Sequence, residues 1–188
     1  MLRIISGTWR GRKLRFPASA AIRPTPDRVR ETLFNWLGSA THGASCLDLF
    51  AGSGALGLEA LSRGAAELVF VERDAAAARA LRTLLGEWQA GNASVTHADA
   101  LHYLRRAARA FDIVFLDPPY GAELLGRAAA LLEERHWLQP SALIYVECAA
   151  RAGLPALPVS WRPLKAKRAG EVGYHLLARD PTWQARPV

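Results

Sequence analysis

Cysteine is scarce: Cys46 and Cys148 are the only two in the chain, they lie far apart, and both fall in stretches that read as buried strands. That excludes a disulfide framework and fits two free thiols in a reducing compartment, so the expected location is the cytoplasm. Metal-type Cys/His spacing is absent as well, and no metal is expected. No apolar run approaches the roughly 20 residues of a membrane span, so no membrane partner is expected. The opening MLRIISGTWRGRK has neither an apolar h-region nor a small-residue cleavage site, and does not read as a secretory signal. The last shortage is local. Residues 1–30 hold a single acid, Asp27, against eight basic groups, whereas residues 31–188 carry 16 of each sign. The whole formal charge of +7 therefore lies in the first 30 residues.

A basic arm on a neutral body fits a polyanion-binding appendage, because Lys and Arg displace counterions condensed on phosphates. A solvated, solubilising N-terminus would carry the same charge. The body itself is 51% hydrophobic and 22% charged, a balance that supports a core and argues against disorder. A length of 188 residues fits one medium domain with a short extension. The boundaries read as a basic hairpin extension over 1–22 and a core over 23–180, within a single domain over 1–188. Nothing in the pattern demands more than a monomer.

Residues 1–16 alternate and turn, which predicts a hairpin or a pair of short strands with arginines outward. The segment Arg23-Pro24-Thr25-Pro26-Asp27 breaks the chain, with Thr25 or Asp27 as N-cap and Pro26 in the first helical turn. Val29, Leu33, Phe34 and Leu37 then recur at helical spacing until Gly38. Beyond this, strands alternate with helices. Strands are expected at Cys46–Phe50, Leu68–Val71, Val95–His97, Phe111–Leu116 and Ala142–Glu147. Helices are expected at Gly54–Arg63, Ala75–Trp88, Ala100–Ala108 and Ala122–Arg135. Val159–Lys165 and Val172–Ala178 read as two closing strands joined at Arg168-Ala169-Gly170. The rhythm implies βαβ units, a Rossmann-like, mostly parallel sheet with helices on both faces, and an antiparallel addition at one edge.

The chemistry sits at strand ends. Asp48-Leu49-Phe50-Ala51-Gly52-Ser53-Gly54 opens the first helix, and its glycines let a ligand approach the main chain at a helix N-terminus. Gly52, Gly54 and Gly57 also satisfy a dinucleotide fingerprint, which by itself is a weak signal. Glu72 ends the second strand about 20 residues later, where an acid accepts from ribose hydroxyls. Asp99 ends the third, and reads equally as an acceptor for an adenine amino group or as a helix N-cap. The fourth strand runs into Asp117-Pro118-Pro119-Tyr120. Pro118 and Pro119 stiffen a turn that presents carbonyls without N–H donors, Asp117 adds a carboxylate, and Tyr120 adds a stacking face. Two acceptors beside an aromatic ring suit an exocyclic amino group of a base, whose two hydrogens need partners.

In these segments the chain resembles the class I S-adenosylmethionine methyltransferases, and its Asp-Pro-Pro-Tyr resembles the form that acts on exocyclic amino groups. RPTPDRVRETLFNWL (Arg23 to Leu37), DLFAGSGALGLEALSRGA (Asp48 to Ala65) and the basic segment ahead of them closely resemble the bacterial RsmD family. The resemblance runs from Arg3 to about Leu177. It implies a seven-stranded sheet, S-adenosylmethionine as methyl donor, and methylation of the 2-amino group of one guanine in 16S ribosomal RNA. The substrate it implies is an assembled or assembling small ribosomal subunit. It further implies donor contacts from Asp48, Phe50, Ala51, Gly52, Ser53, Gly54, Glu72, Arg73, Asp99, Ala100 and Asp117. Catalytic roles fall to Asp117, Pro118, Pro119 and Tyr120. RNA contacts fall to Arg3, Arg10, Arg12, Lys13, Arg15, Arg23 and Arg28.

Four rivals compete. An adenine 6-amino methyltransferase acting on DNA or RNA would use the same acceptors. Carbon-5 methylation needs a cysteine nucleophile, and neither cysteine lies in a suitable loop. A nicotinamide dehydrogenase explains the glycines and Glu72 but leaves Asp117–Tyr120 and the basic arm without a role. A non-catalytic RNA-binding protein on the same fold would be indicated by loss of Asp117 or of the glycine loop, and both are intact.

Overall fold

The computed structural model describes residues 2–14, 25–119 and 122–182. Seven strands form one mostly parallel sheet: β1 (Ser45–Asp48), β2 (Glu67–Glu72), β3 (Ala93–His97), β4 (Phe111–Leu116), β5 (Leu138–Ala149), β6 (Trp161–Ala169) and β7 (Val172–Arg179). Their order is β3-β2-β1-β4-β5-β7-β6. Helices α1 (Asp27–Leu37), α2 (Ala55–Ser62), α3 (Ala75–Glu87), α4 (Ala100–Tyr103) and α5 (Ala122–Glu134) surround the strands, with a 3₁₀ turn at Gly38–Thr41. The Rossmann-like sheet with an antiparallel edge is thus present. The chain divides into two compact units, Met1–Ala100 and Leu101–Val188.

In the first unit, β1, β2 and β3 run parallel, with Asp48 level with Phe70 and Glu72 level with His97. Strands β1 and β2 are mostly buried, as a sheet covered on both faces requires, whereas none of the residues of β3 at the edge is buried. Helix α1 buries Val29, Leu33, Phe34 and Leu37 as their spacing predicts, and also Arg30, which spacing alone does not explain. Its cap differs from expectation. Pro26 occupies the N-cap without a side-chain bond, because the Asp27 carboxylate is taken by Arg30 Nη2 at 2.6 Å. Asp74 caps α3 by accepting from Ala77 N at 2.7 Å.

In the second unit, β4 and β5 are parallel while β7 and β6 add antiparallel. Strand β5 begins at Leu138, earlier than the apolar pattern predicts, and its register against β4 jumps between Phe111 and Ile113. Pro140 lies in the jump; having no N–H it cannot hold a ladder position, so the strand bulges around it. Strand β6 starts at Trp161, later than expected, and Val159 is left 74% exposed outside it. Helix α4 stops at Tyr103, after one turn. Arg179 closes the unit by donating to Glu133 of α5 at 2.6 Å, where Trp161 Nε1 also donates at 3.1 Å.

The hairpin predicted for residues 1–16 is not established. Among the described residues, 2–14 meet in one isolated antiparallel bridge, Arg3 to Lys13, and carry no strand. Beside that bridge, Ile4 N donates to Arg12 O and Leu14 N to Leu2 O, each at 3.0 Å.

Candidate active site

Helix α2 organises the first unit. Gly54 caps it in the left-handed conformation, at φ +75°, and its N–H bonds Ala51 O at 2.7 Å to close the loop. Gly57 lies so near Phe70 that a Cβ there would sit 2.4 Å from the ring. Gly57 thus lets α2 pack directly on β2. Asp48, at the end of β1, is buried and accepts from Gly57 N at 3.1 Å, which ties strand to helix. Burial pushes its carboxyl up to about 7; the Gly57 and Phe50 N–H groups oppose the rise, and the Glu72 charge adds to it.

Glu72 is brought to the same loop. One carboxylate oxygen accepts from Gly52 N at 2.7 Å and the other from Asp74 N at 2.7 Å. Each carboxylate oxygen has a second lone pair, so the group can still accept from a diol while it holds the loop. Ala51 and Ser53 are buried and Phe50 is half-buried beside them. Arg73 and Asp99 are exposed, and Ala100 is buried at the start of α4. The Arg73 carbonyl accepts from His97 Nε2 at 3.1 Å, which fastens the end of β3.

In the second unit, Asp117 and Pro118 are half-buried and Pro119 is exposed, directly beyond β4. Tyr120 lies outside the described residues. The neighbouring strand brings Tyr145, fully buried, whose hydroxyl donates to Glu147 Oε1 at 2.8 Å. Burial raises the Tyr145 hydroxyl well above its usual value, and the Glu147 and Asp117 charges raise it further. Asp117 therefore stands in an acceptor-rich neighbourhood.

Of the arm residues, Arg3, Arg10, Arg12, Lys13 and Arg28 are exposed, while Arg15 and Arg23 lie outside the described residues. The arm is fixed to α2 through its main chain. Ile5 N and Ser6 N donate to the Glu59 carboxylate at 2.8 and 3.0 Å. Thr8 N donates to Ser62 O at 2.8 Å and Trp9 N to Ser62 Oγ at 2.9 Å. The two halves of the arm also bond to each other, so α2 takes only part of its donors. Trp9 packs on Trp88 with ring centres 5.1 Å apart, and the Arg12 guanidinium lies 5.4 Å from the Trp88 ring centre.

Residues 2–178 match the family model described as Conserved hypothetical protein 95. The chain belongs to this family, the RsmD family. It is 50% identical over 179 residues to ribosomal RNA small subunit methyltransferase D of Escherichia coli strain K12, covering 95% of this chain and 90% of that one. The solved structure of yhhF from Escherichia coli superposes with a TM-score of 0.91 at 48% identity, covering 96% of this chain and 99% of that chain. The 16S rRNA N2 G1207 methyltransferase RsmC of Thermus thermophilus, solved with AdoMet and guanosine, has a TM-score of 0.63 at 28% identity. The overlap is 87% of this chain and 45% of that chain.

For this member of the RsmD family, the residues that pattern reading missed are Arg30 and Glu59, both 0% exposed. Glu59 also accepts from Arg30 Nη1 at 3.2 Å and Arg63 Nε at 2.8 Å. The signal was present: a lone acid in the otherwise apolar stretch ALGLEALS requires buried partners. Tyr145 and Glu147 were hidden because the run into Glu147 reads simply as an apolar strand.

Proposed function

We propose that this chain transfers a methyl group from S-adenosylmethionine to ribosomal RNA, and that its target is the 2-amino group of a guanine in 16S RNA. The observation that carries the reading is the clasp of Glu72 on Gly52 of the glycine loop, an acceptor-bearing cradle at the carboxyl ends of parallel strands. The curated Escherichia coli relative is named a ribosomal RNA small subunit methyltransferase, and RsmC is named for guanine N2. The RsmC name favours guanine over the adenine alternative, while the Escherichia coli name supports ribosomal RNA without naming a base. The substrate is a small subunit, assembled or assembling, met in the cytoplasm by a monomer without metal; the fold acts as one catalytic domain with a basic extension.

The residues fit the donor. Glu72 would hold the ribose hydroxyls, with Arg73 beside it, and Asp99 and Ala100 would flank the adenine. The loop Asp48–Gly54 would lie along the methionine part. S-adenosylmethionine supplies, when bound, a methyl group activated by a sulfonium leaving group. Asp117 and the Pro118 carbonyl would accept the two amino hydrogens of the base. This raises electron density on a nitrogen otherwise conjugated into the ring, and gives its proton a place to go. Pro119 stiffens the turn and Tyr120 offers the stacking face for a base turned out of its strand. Arg3, Arg10, Arg12, Lys13, Arg15, Arg23 and Arg28 would hold phosphates, which sets affinity more than base choice.

The test supplies methyl-labelled S-adenosylmethionine with naked 16S RNA, or with small subunits lacking base methylation, followed by digestion to nucleosides. The expected product is 2-N-methylguanosine, lost in Asp117→Ala. Label in methyladenosine would overturn the substrate, and no label in either RNA would overturn the activity.

A further inference from the structure

The arm is not the only exposed basic surface. Strand β6 lies at the open edge of the second unit and carries Arg162, Lys165, Lys167 and Arg168 with no acid among its nine residues. Two of these charges are already engaged. Arg162 faces Asp180 at 3.9 Å, and Arg168 Nε donates to Gly170 O at 2.7 Å. Lys165 and Lys167 are exposed and make no ion pair or hydrogen bond among the described residues.

Register places these two lysines. In β6 the pairing shifts between Pro163 and Lys165: Pro163 is level with Leu177, and Lys165 with Leu176. Without that one-residue bulge Lys165 would pair with His175, and both lysines would point to the other face of the sheet. With it, Lys167 pairs with Tyr174, and Tyr174 pairs with Glu147 across β7 and β5. Leu116 pairs with Val146, so the next position of β4, Asp117, falls level with Glu147. Lys167 thus stands on the cross-strand row that leads to Asp117, three strand steps away, or about 14 Å at the usual spacing. Lys165 follows on the same face, two residues back. The face is the one opposite α5, since Arg179 pairs with Trp161 and both contact Glu133 of that helix.

We propose that Lys165 and Lys167 form a second RNA-phosphate contact, which holds the strand next to the base presented to Asp117. The inference rests on the RNA methyltransferase reading. Lysines on an edge strand also guard against edge-to-edge aggregation, but that role needs no particular face. The bulge puts both on one face of the sheet, with Lys167 on the row that leads to Asp117, and two cations without an ion pair among the described residues complement a phosphate backbone.

The deciding measurement is the salt dependence of 16S RNA binding by the full chain, for wild type, for Lys165→Gln with Lys167→Gln, and for Arg168→Gln. Losing two phosphate contacts should flatten the slope of log affinity against log salt by about 1.4, at about 0.7 per contact on single-stranded RNA. The KM for RNA should rise in the double variant, with kcat, S-adenosylmethionine affinity and melting temperature retained. Arg168→Gln, on the other face, should leave the slope as in wild type. An unchanged slope in the double variant, with or without new aggregation, overturns the proposal, as does an equal loss in Arg168→Gln. A wild-type protein that neither binds nor methylates RNA would overturn the parent reading, an outcome separate from active wild type with an unchanged double variant.

Discussion

Replacing Glu59 by Gln tests what holds the basic arm to the body. The carboxylate is 0% exposed and receives four donors: Ile5 N and Arg30 Nη1 on one oxygen, Ser6 N and Arg63 Nε on the other. Glutamine keeps one acceptor and turns an NH₂ donor toward two donors, while Arg30 stays buried with Asp27 as its remaining acidic partner at 2.6 Å. Breaking a buried ion pair from one side costs about 3–5 kcal/mol. For a chain of this size each kcal/mol moves the melting point by about 2–4 °C, so the variant should melt roughly 10 °C lower. The assay is thermal unfolding by circular dichroism, with amide exchange read at Ile5 and Ser6, whose protection should collapse. A second variant separates charge from hydrogen bonding. Arg30→Met with Glu59→Leu removes the buried charges but leaves those two amides unpaired, at about 1 kcal/mol or more each. It should recover part of the loss and not all of it. A Glu59→Gln loss below about 1 kcal/mol, or a double variant as stable as wild type, would refute the argument that the carboxylate fastens the arm.

Two further outcomes follow from the loop. Asp48, buried and pushed up to about 7, keeps its proton in the native state at pH values where the unfolded chain, near 3.9, has released it. The unfolded state then binds fewer protons, so this group's contribution to stability falls as pH rises from about 4 to 7, by up to roughly 4 kcal/mol. Asp48→Asn keeps an acceptor for Gly57 N and removes that penalty; in urea it should gain on wild type between about pH 5 and pH 8, and a gap that ignores pH would sink the idea. Gly57→Ala places a methyl 2.4 Å from the Phe70 ring and should cost about 1–3 kcal/mol through overpacking, a figure that chemical denaturation without loss of stability would contradict.

Most strands and helices were legible because each follows a single periodicity. Phe111–Leu116 is both the expected and the observed extent of β4, and α3 opens where Asp74 offers a cap. Boundaries failed where the cause is not in the local pattern. Helix α4 stops at Tyr103 where the pattern runs on to Ala108, while α3 ends at Glu87, within one residue of the expected Trp88. Strand β5 begins four residues before the expected Ala142 and runs through Pro140, since a bulge tolerates what a straight ladder excludes. Alternation in the arm also carries no information about its bonds to α2, which take Ile5 N, Ser6 N, Thr8 N and Trp9 N. At the site, Glu72 was legible from its distance to the glycines. Its bond to Gly52 was not, because a strand-end acid reveals position and not orientation.

The arm and the glycine loop look like separate motifs in sequence, yet one short helix carries both. Helix α2 has eight residues, all buried, and so spans about 12 Å. At its N-terminus Gly54 closes the loop and Gly57 N holds Asp48. Toward its C-terminus Glu59 and Ser62 receive the arm's main chain. A helix buried on every side cannot rotate without opening cavities at both ends, and close-packed interiors resist that. The position of the basic side chains is therefore set by the same element that sets the loop, and the buried charges are the means. A purely apolar contact would glue the arm to α2 but tolerate sliding, whereas a carboxylate bonded to two successive amides admits one register. The stability cost of burying Arg30 and Glu59 is then the cost of that register, which is why a lone acid persists in a helix that is otherwise apolar.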